Sequence, residues 1–246
     1  LVHLLGRSAW TKEFDEFIKK YKLKVIEDCA HALGTLNYDG SHVGTKGFGG
    51  AFSFYPTKQI TTGEGGMIIS NQLNVALESK RLRAFGIDKD PQERKIPGVY
   101  DVKDLGFNFR MTEFQSLLGL EQIKRYKDKL NNRKKLAKIY NTNLSKHKNL
   151  ILPRISENDS YFVYQFLIND PKIERNNLIL QLKDKGVPVT IHYSTPLHKM
   201  SYYSEDDHNS LEVSELYAKN CISLPMHKFI DENVCNKICK IISDTL

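Results

Sequence analysis

The sequence predicts an α/β protein: a large domain on a mostly parallel sheet over residues 1–148, then a smaller α+β domain over residues 149–246. Three observations carry this. Strand, helix and strand patterns follow one another within the first 28 residues, the signature of a βαβ unit. A glycine-rich run from Gly40 to Gly50 leads into a further apolar strand. A helical stretch closes near residue 145, and beyond 150 short strands and helices mix. The chain has 246 residues, room for one large domain or two small ones. With 40% apolar and 26% charged residues it is ordinary globular material, which excludes a disordered tail or a disulfide-dense miniprotein.

The elements follow in order. Leu1 to Leu5 reads as a strand closed by Gly6. Because the chain opens inside such a pattern and not at Met, residues are expected to precede it. Thr11 is placed to cap a helix whose apolar positions Phe14, Phe17, Ile18 and Tyr21 recur at helical spacing. Leu23 to Ile26 is a short strand ending at Glu27–Asp28, and Ala51 to Tyr55 is a third. Pro56 to Gly66 is a loop, Met67 to Ser70 a fourth strand, and 73–85 a helix. Residues 87–106 lack periodicity and form a long loop, of the kind that makes lids or substrate contacts. Helices dominate from Thr112 to about Ser145. Then come a strand over Tyr161–Ile168, a helix over Pro171–Lys185 closed by Gly186, a strand over Val187–Tyr193, and helices near 210–220 and 231–243.

Net charge is +7, and residues 121–150 alone hold ten Lys or Arg against two Asp or Glu. That segment also carries an apolar stripe, Ile123, Tyr126, Leu130, Ala137, Tyr140 and Leu144, with most basic residues off it. A solvated helix face explains the charge without a nucleic-acid partner, for which interleaved base-reaching side chains would be needed. No apolar run is long enough to span a membrane. Cys29, Cys221, Cys235 and Cys239 form no CxxC pair, so no structural metal is expected and reduced thiols in a cytoplasmic protein are.

Ligands of parallel α/β sheets collect at the carboxyl ends of strands. Asp28, His31, Ser53 and Lys58 stand at such ends. Three of them have two readings each. Lys58 is a surface lysine or, in a glycine-rich loop beside a crevice, an amine for a carbonyl ligand. Asp28 is a cap for the turn at Cys29 or a partner for a protonated ring nitrogen. Ser53 is a sheet-end hydroxyl or a phosphate contact.

Six segments together resemble one family. They are Glu27–Gly34 (EDCAHALG), Ser53–Lys58 (SFYPTK), Thr62–Gly66 (TGEGG), Leu105–Thr112 (LGFNFRMT), His192–His198 (HYSTPLH) and Leu224–His227 (LPMH). In this order they resemble the DegT/StrS family of pyridoxal-phosphate-dependent aminotransferases of nucleotide-linked sugars, which have the type I aminotransferase fold. The resemblance implies pyridoxal 5'-phosphate as cofactor, a nucleotide-linked keto-sugar as acceptor, glutamate or glutamine as amino donor, and a homodimer. It implies that Lys58 forms the Schiff base with the cofactor and that Asp28 holds the pyridine nitrogen protonated. His31 stands near the ring oxygen and Ser53 on the phosphate. Asn108 reaches the phosphate bound by the other subunit. Tyr55, Arg110, His192 and Tyr193 match positions around the substrate cleft. A lysine at 58 favours transamination, since some relatives that carry His there catalyse deoxygenation. The family also holds catalytically inactive regulators, against which the joint presence of Asp28 and Lys58 argues. The family's front part, with a Ser/Thr-Gly phosphate turn and an aromatic residue stacked on the ring, has no match here, so the large domain is expected to be incomplete in this chain.

Overall fold

A computed structural model describes residues 1–203 and 210–246. The chain forms two compact units, Leu1–Asp128 with Asn158–Phe162, and Lys129–Glu157 with Val163–Leu246. The division therefore runs at 128–129 and includes a return crossing at 158–162, where a single boundary at 148–149 was expected.

In the first unit β1 (Ile26–Asp28) pairs parallel with β2 (Gly49–Ser53), and β2 pairs antiparallel with β3 (Gly66–Ile69). The strand expected at Leu1–Leu5 is reduced to a parallel bridge of Val2 with Asp28. Leu5 turns to a φ of +57° and Gly6 to +85°, which ends the extended backbone there. β1 begins at Ile26 and not at Leu23, because the Leu23 N–H is used by Ile18 O at 3.1 Å in the helix that precedes it. That helix, α1 (Lys12–Tyr21), starts where expected: Thr11 Oγ1 accepts the Phe14 N–H at 3.1 Å. The glycine-rich run lets two backbones touch, since a Cβ on Gly50 would lie 2.4 Å from the Gly44 Cα.

α2 (Leu73–Leu82) follows β3. The 87–106 stretch is a loop fastened by bridges of Ile87 with Val102 and of Ala84 with Asn108. α3 (Glu113–Ile123) begins in a reciprocal cap between Thr112 and Gln115. α4 (Tyr126–Leu144) starts in the first unit and continues in the second, where Leu136, Ala137, Tyr140 and Leu144 of its apolar stripe are buried. Lys127, Lys135 and Lys138 stay exposed, as a solvated basic face requires.

The second unit is built on an antiparallel sheet of β4 (Leu150–Ile151), β5 (Tyr164–Ile168) and β6 (Cys221–Leu224), in that order. Its core takes Tyr164, Phe166 and Ile168 from β5 and Ile222 and Leu224 from β6. Leu178 and Leu182 of α5 (Arg175–Asp184) are also buried, as are Cys235, Ile238, Cys239 and Ile242 of α7 (Glu232–Ser243). α6 (Glu212–Asn220) leads directly into β6, which the sequence reading did not anticipate. The strand expected over Val187–Tyr193 is a single bridge, Thr190 with Ser223. Pro188 has no N–H to give a ladder, which limits pairing there. All four cysteines are free and buried. No helix among the described residues is long and apolar enough to cross a membrane.

Candidate active site

The site of the first unit is built around the end of β1. Successive strand side chains alternate, so Glu27 turns inward and Asp28 outward. Glu27 is fully buried and organises the glycine-rich run. Its Oε2 accepts from the Gly44 N–H at 2.7 Å, and its Oε1 accepts from the Lys46 and Gly47 N–H groups at 3.0 and 2.6 Å. His3 Nδ1 accepts the Ala9 N–H at 3.1 Å, which leaves Nε2–H to donate to Glu27 Oε2 at 2.9 Å. Burial alone would raise the Glu27 carboxyl, but the hydrogen bonds from His3, Gly47 and Gly44 outweigh it and hold the group below its usual value. His3, Glu27 and Cys29 also bring three ligand-type atoms within 4.8 Å of one another. In this structure the cluster is held by hydrogen bonds between protein groups. The carboxylate and the His3 nitrogens are already engaged, and burial with the Glu27 and Asp28 charges pushes the Cys29 thiol up to about 12.

Asp28 stands exposed at the strand end, its Oδ1 accepting the Ala30 N–H at 2.9 Å. His31 is buried, its ring stacked on Phe162 at 4.1 Å between centroids and 9° between planes. Lys58 is half-buried, with Nζ 5.2 Å from the centroid of the same Phe162 ring. Burial lowers the Lys58 ammonium pKa, and the Asp28 carboxylate offsets part of that shift. Ser53 ends β2, and its Oγ accepts the Tyr55 N–H at 3.3 Å. Tyr55 itself is exposed, and its carbonyl accepts the Lys58 N–H at 3.0 Å. The loop carrying Lys58 is held at both ends. Phe54 N–H reaches Gly65 O and Thr62 N–H reaches Phe54 O, each at 2.9 Å. From α3, Gln115 Nε2 donates to Glu64 O at 2.9 Å and Gln122 Oε1 accepts the Thr61 N–H at 3.2 Å.

The structure thus gathers Asp28, His31 and Lys58, with Ser53 and Tyr55 on the connecting turn. Asn108 and Arg110 are held by another stretch of the unit. Asn108 bridges Ala84, and the Arg110 guanidinium lies 4.6 Å over the Phe85 ring. His192 and Tyr193 belong to the second unit, where Gln165 Nε2 donates to the His192 carbonyl at 2.9 Å and the two rings meet edge to face. Sequence reasoning gave no role to Phe162, or to the buried polar group beneath it. In that group Gln59 Nε2 donates to His31 O at 2.8 Å and to Ser160 Oγ at 3.1 Å. Thr35 Oγ1 lies 2.8 Å from Ser160 Oγ and 2.9 Å from Gly6 O. Buried polar side chains in a strand-end loop were the one available signal.

The donor set fits pyridoxal phosphate. It offers an amine of lowered basicity for a carbonyl, an exposed carboxylate for a protonated ring nitrogen, a fixed imidazole, and a hydroxyl for a phosphate oxygen.

The family model for the DegT/DnrJ/EryC1/StrS aminotransferases matches residues 1–243. The UDP-4-amino-4,6-dideoxy-N-acetyl-beta-L-altrosamine transaminase of Campylobacter jejuni is 30% identical over 250 residues, covering 100% of this chain and 64% of that protein. GDP-perosamine synthase of Escherichia coli O157:H7 is 30% identical over 246 residues, covering 99% of this chain and 64% of that protein. Among solved structures, Helicobacter pylori PseC, an aminotransferase involved in the biosynthesis of pseudoaminic acid, superposes with a TM-score of 0.90 at 27% identity, covering 99% of this chain and 65% of that one. This chain spans slightly less than two thirds of the length of these relatives. The ordered motifs, the strand-end lysine and carboxylate, and these matches agree: the chain belongs to the DegT/DnrJ/EryC1/StrS aminotransferase family.

Proposed function

We propose that the whole protein transfers an amino group from glutamate or glutamine to a nucleotide-linked keto-sugar, using pyridoxal phosphate, as a homodimer in the cytoplasm. The observation that carries the reading is the Lys58 amine, half-buried, lowered in basicity and under the influence of the Asp28 carboxylate. The sugar-nucleotide class is supported by the transaminase and the perosamine synthase to which the chain is similar. The buried free thiols agree with a reducing compartment.

When bound, pyridoxal phosphate supplies a carbonyl for the amino group and an electron sink for the carbon that loses its proton. The remaining work falls to the chain. The lowered pKa raises the neutral fraction of Lys58, so its Nζ would be able to take up and give back the proton that the reaction moves. Asp28, fixed by the Ala30 N–H, would hold a negative charge at the cofactor's ring nitrogen. His31, held rigid by its stack on Phe162, would stand near the cofactor's ring oxygen. Ser53 would bind a phosphate oxygen, and Asn108 would serve the phosphate of the partner subunit. The family resemblance would assign Tyr55, Arg110, His192 and Tyr193 to the substrate.

The test is incubation of the full-length protein with pyridoxal phosphate, glutamate and a panel of nucleotide keto-sugars, read by mass spectrometry. Conversion of one keto-sugar to its amine is the expected result. A protein that forms no visible-absorbing complex with the cofactor and aminates none of the panel would refute the reading.

Two further outcomes are expected. Asp28→Asn keeps the fold, because the side chain is exposed, but loses the charge at the ring nitrogen. Its turnover should fall by about 10- to 100-fold, the worth of a charge-assisted bond. Normal turnover of the Asn variant would make Asp28 a turn cap only. Separately, Lys58→Ala and Asn108→Ala proteins, unfolded and refolded together, should recover activity that neither shows alone. A mixture that stays dead, although mixed dimers form and wild type survives the treatment, would make each subunit self-contained.

A further inference from the structure

Phe162 lies on the 158–162 crossing, which belongs to the first unit although the chain on either side of it belongs to the second. The residue is buried, and its ring meets two groups of the candidate site. The His31 ring stacks on it, and Lys58 Nζ stands over it at 5.2 Å from the centroid. Several unusual features bring the ring there. Tyr161, the residue before it, has a φ of +46°, in the left-handed region that a side chain disfavours. Gly6 receives the crossing so closely that a Cβ would lie 2.7 Å from the Phe162 nitrogen. Ser160 N–H donates to Gly6 O at 2.8 Å and Phe162 N–H to Leu5 O at 3.2 Å. Ser160 Oγ is held in turn by Thr35 Oγ1 and Gln59 Nε2. A disfavoured backbone of this kind persists where its surroundings over-determine it, and such places gather at functional sites.

The ring acts on the lysine in two opposite senses. As an apolar wall it withholds water, which disfavours a charged amine. Its face carries the negative part of the ring quadrupole, which favours a cation within about 6 Å of the centroid. The stack with His31 keeps the ring from turning its positive edge toward the amine. Asp28 is the charged group that acts on Lys58, and it too favours the ammonium form. His31 is the titratable group on the same ring.

We propose that Phe162 is a positioning residue for Lys58, whose fixed aromatic face holds the side chain as an ammonium ion at one place until a carbonyl ligand enters. An ammonium ion must give its proton to water before its nitrogen can add to a carbonyl, so the ring sets both where Nζ waits and how readily it is released. The carbonyl ligand rests on the function proposed above; the hold on the ammonium does not.

The experiment uses the full-length, cofactor-free protein with phenylalanine at position 162 replaced by mono-, di- and trifluorophenylalanine. These keep the shape of the ring and weaken its negative face step by step. The rate at which trace acetic anhydride acetylates Lys58, read by mass spectrometry of its peptide against pH, gives the midpoint of the amine. The scan stays above about pH 7.5, beyond the ordinary imidazole range near 6.5, so that His31 keeps one charge throughout. Each fluorine should lower the midpoint, until the neutral fraction at a given pH has risen about two- to fivefold, the worth of a cation–π contact. Lys127, exposed on α4, should not move and serves as the internal reference. A Lys58 midpoint that stays in place or rises along the series overturns the hold. At neutral pH the capture of pyridoxal phosphate, followed by visible absorbance, should quicken by the same factor. A shifted midpoint with an unchanged capture rate overturns the control of release. If the wild type captures no cofactor at all, the function proposed above fails while the amine midpoint still decides the role of the ring.

Discussion

Lys58→Ala is expected to abolish both covalent capture of pyridoxal phosphate and transamination. Borohydride reduction of the loaded wild-type protein should attach the label to the peptide that contains Lys58, and the variant should take up none. Loss of the proton-transfer role alone removes about 10²- to 10⁴-fold in rate, and loss of the amine nucleophile adds to this. Lys58→Arg separates the roles: it keeps a cation near Phe162 but offers no amine of lowered basicity. Its thermal midpoint should stay near that of wild type while turnover is lost. A label on any other lysine, or an active Lys58→Ala, would move the chemistry elsewhere in the chain.

Glu27→Ala is expected to produce the largest loss of stability. It leaves the Gly44, Lys46 and Gly47 N–H groups and the His3 ring without their acceptor inside the unit. Each buried donor left without an acceptor costs about 1–3 kcal/mol, so the loss should be several kcal/mol. Glu27→Gln, which keeps the shape but turns an NH2 toward backbone donors, should lose about 1.5–3 kcal/mol. Urea unfolding of the full-length protein measures both. An Ala variant that unfolds with the wild type would show that the glycine-rich run orders itself without the carboxylate. The pH dependence has a definite sign. The folded carboxyl is held below its usual 4.5, so its contribution is present above that value and is lost as pH falls through the lowered one.

The strand ends that carry the candidate site are legible in the sequence because their signals are local. Asp28, Ser53 and Lys58 each close or follow an apolar run, and the segments that hold them are short and contiguous. Thr11 announced α1 for the same reason: a cap and its helix are neighbours. The misreadings have non-local causes. Leu1 to Leu5 has strand composition, but the positive φ at Leu5 confines pairing to Val2. Val187 to Tyr193 alternates like a strand, yet the bridge it makes is to Ser223, on a β6 that directly follows α6 and carries no turn signal before it. Phe162 supports both His31 and Lys58 from far along the chain, and no local pattern points to such a contact.

The return crossing at 158–162 also sets an order of assembly during synthesis. A ribosome that has released residues 1–128 has delivered β1, β2 and β3, but not Ser160 or Phe162. Until those residues emerge, Gln59 and Thr35 lack their serine partner, and His31 lacks the ring on which it stacks. In the nascent first unit His31, Lys58, Gln59 and Thr35 therefore gain their last partners only after α4 and β4 have left the exit tunnel. A gene cut at the apparent helix boundary, for expression of that unit alone, would yield a chain lacking the segment that completes it.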